Sequence, residues 1–149
     1  MKICDGENYI YIDFKCYDSE DKFPTMDLED EKNCVMVVYG YDIRDHGWGV
    51  GGDEYFSTQD IVNVYRGLLD LVSGRTNRFF YEVCSRYAGQ PKAAVFRYEV
   101  ARKDENFAFE FTMTDFMAFP ETVIELMSEN RLRAVCEEYR QAVRRFPKR

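Results

Sequence analysis

The stretch Asp45–Phe56, DHGWGVGGDEYF, holds the only histidine and the only tryptophan of the chain among four glycines. Gly47, Gly49 and Gly52 fit the G-x-G-x-x-G spacing of dinucleotide-binding loops. Such a loop must run straight into a helix whose N–H groups face the phosphates. Here Asp53 and Glu54 stand between the last glycine and the helix start at Ser57, and their carboxylates would repel a pyrophosphate. The other reading is steric. In an extended chain Trp48 and Val50 share one face while Gly47, Gly49 and Gly51 share the opposite one. WGVGG is then a strand with one bare face, which a helix or a large aromatic ring can approach closely. Gly51-Gly52 supplies a bulge or turn before the helix.

On the C-terminal side the pattern predicts a helix over 57–73. Ser57 caps it with Asp60 three residues on, Phe56 and Ile61 occupy the staple positions, and Ile61, Val64, Tyr65, Leu68 and Val72 form one stripe. Ser73-Gly74 ends it. On the N-terminal side, Asn8–Tyr17 alternates, with Ile10, Ile12, Phe14 and Cys16 on one face and Tyr9, Tyr11, Asp13, Lys15 and Tyr17 on the other. Cys34–Tyr41 reads as a more central strand. Asn77–Ser85, Ala94–Arg102 and Phe107–Thr114 are strand-like runs joined by short polar connections, as in an antiparallel meander. Thr122–Met127 fits either a short strand or a first helical turn. A second helix is expected over 130–146, its stripe running through Leu132, Val135, Cys136, Tyr139, Val143 and Phe146. The sum is a single α+β domain over residues 1–149: a twisted, mostly antiparallel sheet of about six or seven strands with two amphipathic helices.

Composition narrows the function. Charge is uneven: residues 1–60 carry 15 Asp/Glu against 5 Lys/Arg, and residues 61–149 carry 12 against 15. Residues 18–33 are read as an acidic loop. An acidic half repels nucleic acid and anionic membranes and attracts a basic partner, so neither nucleic acid nor membrane is expected to bind. No apolar run is long enough to span a bilayer, the N-terminus is too charged for a secretory signal, and the five scattered cysteines read as reduced thiols of a cytoplasmic protein. One histidine and unpaired cysteines disfavour zinc, and Asp18–Asp21 lacks the glycine and closing glutamate of an EF-hand. No catalytic residue, cofactor or metal is assigned. A small enzyme or ligand-binding accessory domain is the alternative, and it would require His46 to meet a thiol or carboxylate in a pocket.

The segment GVGGDEYFSTQDIVNVYRGLLDLVSG, followed by FRYEV, FAFEF and the closing RLRAVCEEYRQAVRRFP helix, resembles small bacterial immunity proteins of polymorphic-toxin systems. The likeness spans Gly49 to Pro147 and rests on element order, on Phe56, Asp60 and Ile61, and on Leu68-Leu69 and Gly74. It implies a non-enzymatic protein that neutralises a cognate toxin, often a basic nuclease. On that reading the charged contact falls on Asp18, Glu20, Asp21, Asp27, Glu29, Asp30 and Glu31. Tyr39, Tyr41, Trp48 and Tyr55 are the aromatic anchors wherever their faces are exposed.

Overall fold

The structure, a computed structural model, describes residues 1–17, 33–85, 93–114 and 120–149, with the backbone alone for 52–55. Strands β1 (Lys2–Cys4), β2 (Tyr9–Tyr17), β3 (Cys34–Ile43) and β4 (Gly47–Ser57) form one antiparallel meander, followed directly by α1 (Thr58–Val72). Strands β5 (Arg78–Cys84), β6 (Ala94–Lys103), β7 (Asn106–Met113) and β8 (Glu121–Ser128) form a second, followed directly by α2 (Glu129–Arg145). The α+β class, the antiparallel pairing and the two helices are as expected from the sequence. Among the described residues the strands differ in being eight and in being divided between two sheets. Thr122–Met127 is strand, and Lys2–Cys4 adds a short edge strand that carries no local sequence signal.

Both helices start without a connecting loop. Ser57 and Ser128 each end a strand in extended backbone, at ψ 156° and 162°, and each caps the next helix with its hydroxyl. At Ser57 the box is complete. Asp60 N–H donates to Ser57 Oγ at 3.0 Å, and Asp60 Oδ2 accepts from Ser57 N at 2.8 Å. Tyr81 of β5 donates to Asp60 Oδ1 at 2.7 Å, which ties the corner to the second sheet. At Ser128 the hydroxyl accepts from Arg131 N–H at 3.3 Å, and α2 begins one residue earlier than the Asn130 start read from the sequence.

The inner faces of both sheets and the apolar stripes of both helices share one core. Phe96 of β6 sits where the sheets meet, edge-on to Tyr39, against Phe56 and stacked with Phe111. Tyr139 of α2 packs edge-on to Phe14 of the first sheet and exchanges a hydroxyl hydrogen bond with Tyr98 of the second. Burial pushes both phenol pKa values up, so both stay neutral and the bond persists. Where β1 meets β8, side chains complete the contact. Glu125 Oε2 accepts from Cys4 N–H at 3.0 Å, and Arg131 bridges Glu125 to the carbonyl of Lys2.

Candidate functional site

Among the described residues, the two helices and the opposing sheet cover only the inner faces and leave the outer face of each sheet open. In the first sheet the register places Lys2, Tyr11, Gly40 and Val50 in one row, and Cys4, Tyr9, Asp42 and Trp48 in the next. Residues directly opposite share a face, so these eight line one surface. Trp48 is 76% exposed and Val50 63%, a large apolar step on β4. Tyr9 and Tyr11, half-buried with ring centroids 6.5 Å apart, form a second step on β2. Gly40 explains why Tyr11 lies flat between them: a Cβ there would come within 2.5 Å of the Tyr11 ring. Lys2 Nζ stands 3.8 Å from the Tyr9 centroid, so its ammonium is held over this aromatic surface. The result is a broad ring-bearing platform with one cation above it and Asp42 in its valley.

The bare face expected of WGVGG is the inner one, and rings fill it. Tyr39 covers Gly51 and Tyr41 covers Gly49, each so close that a methyl group would overlap the ring. The bulge expected at Gly51-Gly52 is present: two steps on β3, Val37 to Tyr39, match three on β4, Glu54 to Gly51. This packing corrects one part of the site reading. Tyr39 is 5% exposed, so it is a core ring and not a surface anchor, and Tyr41 is half-buried on the same inner face. Of the three expected anchors whose side chains are described, Trp48 alone has the exposure an anchor needs. Tyr55 lies in β4, its side chain outside the description, and Asp18, Glu20, Asp21, Asp27, Glu29, Asp30 and Glu31 all fall outside the described residues. Tyr9, Tyr11 and Lys2 were not singled out from the sequence. Their signal was the polar face of the alternating β2 run, where two tyrosines recur opposite the apolar residues.

His46 sits in the β3–β4 turn, its N–H donating to Ile43 O at 2.9 Å. Its Nδ1 reaches Glu121 Oε2 at 2.8 Å, across to the start of β8. The hydrogen bond and charge of Glu121 raise the imidazole pKa above its usual value. The partner of the lone imidazole is thus a carboxylate that joins the two sheets, not a thiol. The pair anchors the hairpin that carries Trp48.

No protein-family model matches the chain, and no curated protein matches it. Solved structures do. The structure of the plant transcriptional regulator PBF-2 covers 98% of this chain and 80% of its own, at 10% identity and a TM-score of 0.48. Crystal structures of WHY1 and WHY3 from Arabidopsis thaliana each cover 98% of this chain at 12% identity, with 88% and 86% of their own lengths and TM-scores of 0.50 and 0.45. At such identity the likeness is one of fold, and the fold is shared with WHY1 end to end. The comparison overturns the immunity-protein resemblance and, with it, the toxin partner and the exclusion of nucleic acid. The structure that shares this fold over 98% of the chain, WHY1 of Arabidopsis thaliana, is a plant protein and not a bacterial immunity protein. The physical reason is plain: Phe56, Asp60 and Ile61 encode a staple and a capping box, a local grammar that any strand-to-helix corner can use. Among the described residues no helix is long and apolar enough to cross a membrane.

Proposed function

We propose that the protein binds single-stranded nucleic acid on the open face of its first sheet. The observation that carries this reading is the exposed pair Trp48 and Val50 beside Tyr9 and Tyr11 on a surface that neither described helix covers. Unpaired bases stack on such rings, whereas a duplex hides its base faces. Lys2, poised over Tyr9, supplies a cation for the backbone phosphates.

The negative net charge does not forbid this. Residues 18–32 hold seven acids against two lysines and so account for five of the seven net negative charges. What remains is close to balanced, and the platform itself carries one ammonium and one carboxylate among its eight residues. Affinity therefore comes from stacking more than from phosphate attraction, and salt should weaken it only mildly. With one lysine at the platform, the log–log salt slope should be about −0.7, the single-strand value for one neutralised phosphate. The five free thiols, with Cys16 exposed, suit a reducing compartment such as the cytoplasm.

Trp48 is the sole tryptophan, so its fluorescence reports this one surface. Titration with a thymine homo-oligonucleotide should quench it saturably, and the matching duplex should not. Trp48→Ala should weaken binding by about 1–3 kcal/mol, the usual worth of one stacked base. An oligonucleotide that leaves the fluorescence unchanged would refute the proposal.

A further inference from the structure

We infer that the open face of the second sheet holds a nucleotide subsite selective for guanine. This rests on the binding of single strands proposed above and adds a base preference to it. On the outer face of β5–β8 the register sets Phe80, Glu99, Glu110 and Ile124 side by side. The adjacent row is Arg78, Ala101, Ala108 and Leu126, with Lys103 one row further along β6. All of these except Leu126 line a groove of about 660 Å³, within the range of small-ligand sites.

Three features of this groove are unusual for a merely solvated face. Glu99 and Glu110 stand directly opposite each other across β6 and β7, an arrangement of like charges that destabilises a ladder. Neither carboxylate has a hydrogen bond or ion pair to any described residue, whereas the next pair along β5 and β6, Glu82 with Arg97, is joined at 2.9 Å. Phe80 is 58% exposed beside them. Arg78 and Lys103, also without a described carboxylate partner, lie on one side of the carboxylate row only. Rows on one strand are two residues apart, about 7 Å. The carboxylate row is negative, the next row has alanines at its centre and Arg78 at its edge, and Lys103 lies one row beyond. Arg97, on the far side of the carboxylates, is paired with Glu82.

A ligand that fits must be flat, carry hydrogen-bond donors on one edge and bear negative charge away from that edge. A guanine nucleotide does all three. Its N1–H and N2–H₂ are adjacent donors, which carboxylates accept and which bring no acceptor between them. Adenine and cytosine offer one exocyclic amine beside a ring acceptor. Thymine offers an imino N–H between two carbonyls that would face the carboxylates. Stacked on Phe80 over Ala101 and Ala108, guanine would turn its donor edge to Glu99 and Glu110, with phosphate toward Arg78 and Lys103.

The test uses labelled thymine oligonucleotides with one internal guanine, the same oligonucleotide with hypoxanthine there, and the all-thymine strand. Hypoxanthine lacks only the 2-amino group. Anisotropy titrations should show the guanine strand binding roughly tenfold tighter than the other two, the scale of one bidentate base contact. The double change Glu99→Ala, Glu110→Ala should bring that ratio close to one while Trp48 quenching persists. Should this variant fail to fold, Phe80→Ala reads the same ratio from an exposed position. A guanine ratio near one in the unaltered protein, or a ratio indifferent to both variants, overturns the subsite and leaves the Trp48 platform standing. Loss of Trp48 quenching together with a surviving guanine preference overturns the platform and leaves the subsite.

Discussion

The first and second halves of the molecule follow one plan, a four-stranded meander that turns at a serine into a helix, yet they fill and expose it differently. The first sheet packs tyrosines over glycines: Tyr39 on Gly51, Tyr41 on Gly49, Tyr11 on Gly40. The second is filled with phenylalanines, Phe96, Phe107, Phe109 and Phe111, and has no glycine in its strands. Outwardly the first presents rings and a lysine, the second opposed carboxylates beside a single ring. The same backbone arrangement thus yields one surface suited to stacking and one suited to accepting hydrogen bonds. Topology sets where the open faces lie, and side-chain chemistry alone decides what each can hold.

The largest expected effect concerns whether the halves form one cooperative unit. Phe96 touches Tyr39 and Phe56 of the first half and Phe111 of the second, so Phe96→Ala should cost about 3–5 kcal/mol in urea unfolding. A single transition seen alike by Trp48 fluorescence and by far-ultraviolet circular dichroism would keep the halves joined. Two separated transitions would break the comparison into independent modules. Next comes Tyr139→Phe, which leaves the buried Tyr98 hydroxyl without its partner and should cost about 1–3 kcal/mol. Adding Tyr98→Phe should recover much of that loss, because removing both hydroxyls strands neither.

The two corners sharpen the comparison further. Ser57→Ala removes the cap of a buried, fully formed box and should cost about 1–2 kcal/mol. Ser128→Ala removes a longer bond at an exposed corner and should cost nearer 0.5 kcal/mol, both by thermal or urea unfolding. Equal costs would mean that the corners are energetically alike despite their geometry. The smallest effect is the pH response of the His46–Glu121 contact between the halves. The folded imidazole pKa is raised, so the contribution of this contact is complete below the unfolded value of about 6.5 and fades as pH climbs through the higher folded value. Proton-detected titration should place the His46 pKa above 6.5, and Glu121→Gln should lower it and remove the pH dependence. An unchanged pKa in that variant would assign the shift to another group.

Much of the local structure was legible because short-range chemistry specified it. Ser57, Asp60, Phe56 and Ile61 announced α1, and the alternating glycines of β4 announced a surface made to receive rings. Division into two sheets was not legible, because a meander reads the same along the chain whether or not its strands share one ladder. β1 escaped because three residues held by β2 and by Glu125 have no periodicity of their own. In the site, Trp48 was named and Tyr39 misplaced for one reason: alternation shows which residues share a face but not which face is covered. That was settled by the long-range pairing of Tyr39 with Gly51. Glu99 and Glu110 could not be singled out as a pair among 27 acids, since only the β6–β7 register sets them opposite each other.

The loopless corners at Ser57 and Ser128 fix chain length to the residue at these two points. An insertion there would swing the following helix by about 100° and lift its apolar stripe away from the core. A deletion one position earlier would reverse the strand faces instead. Divergent members of this lineage should therefore gain and lose residues in their hairpin turns, while both serine junctions keep a constant spacing from the strand before and the helix after.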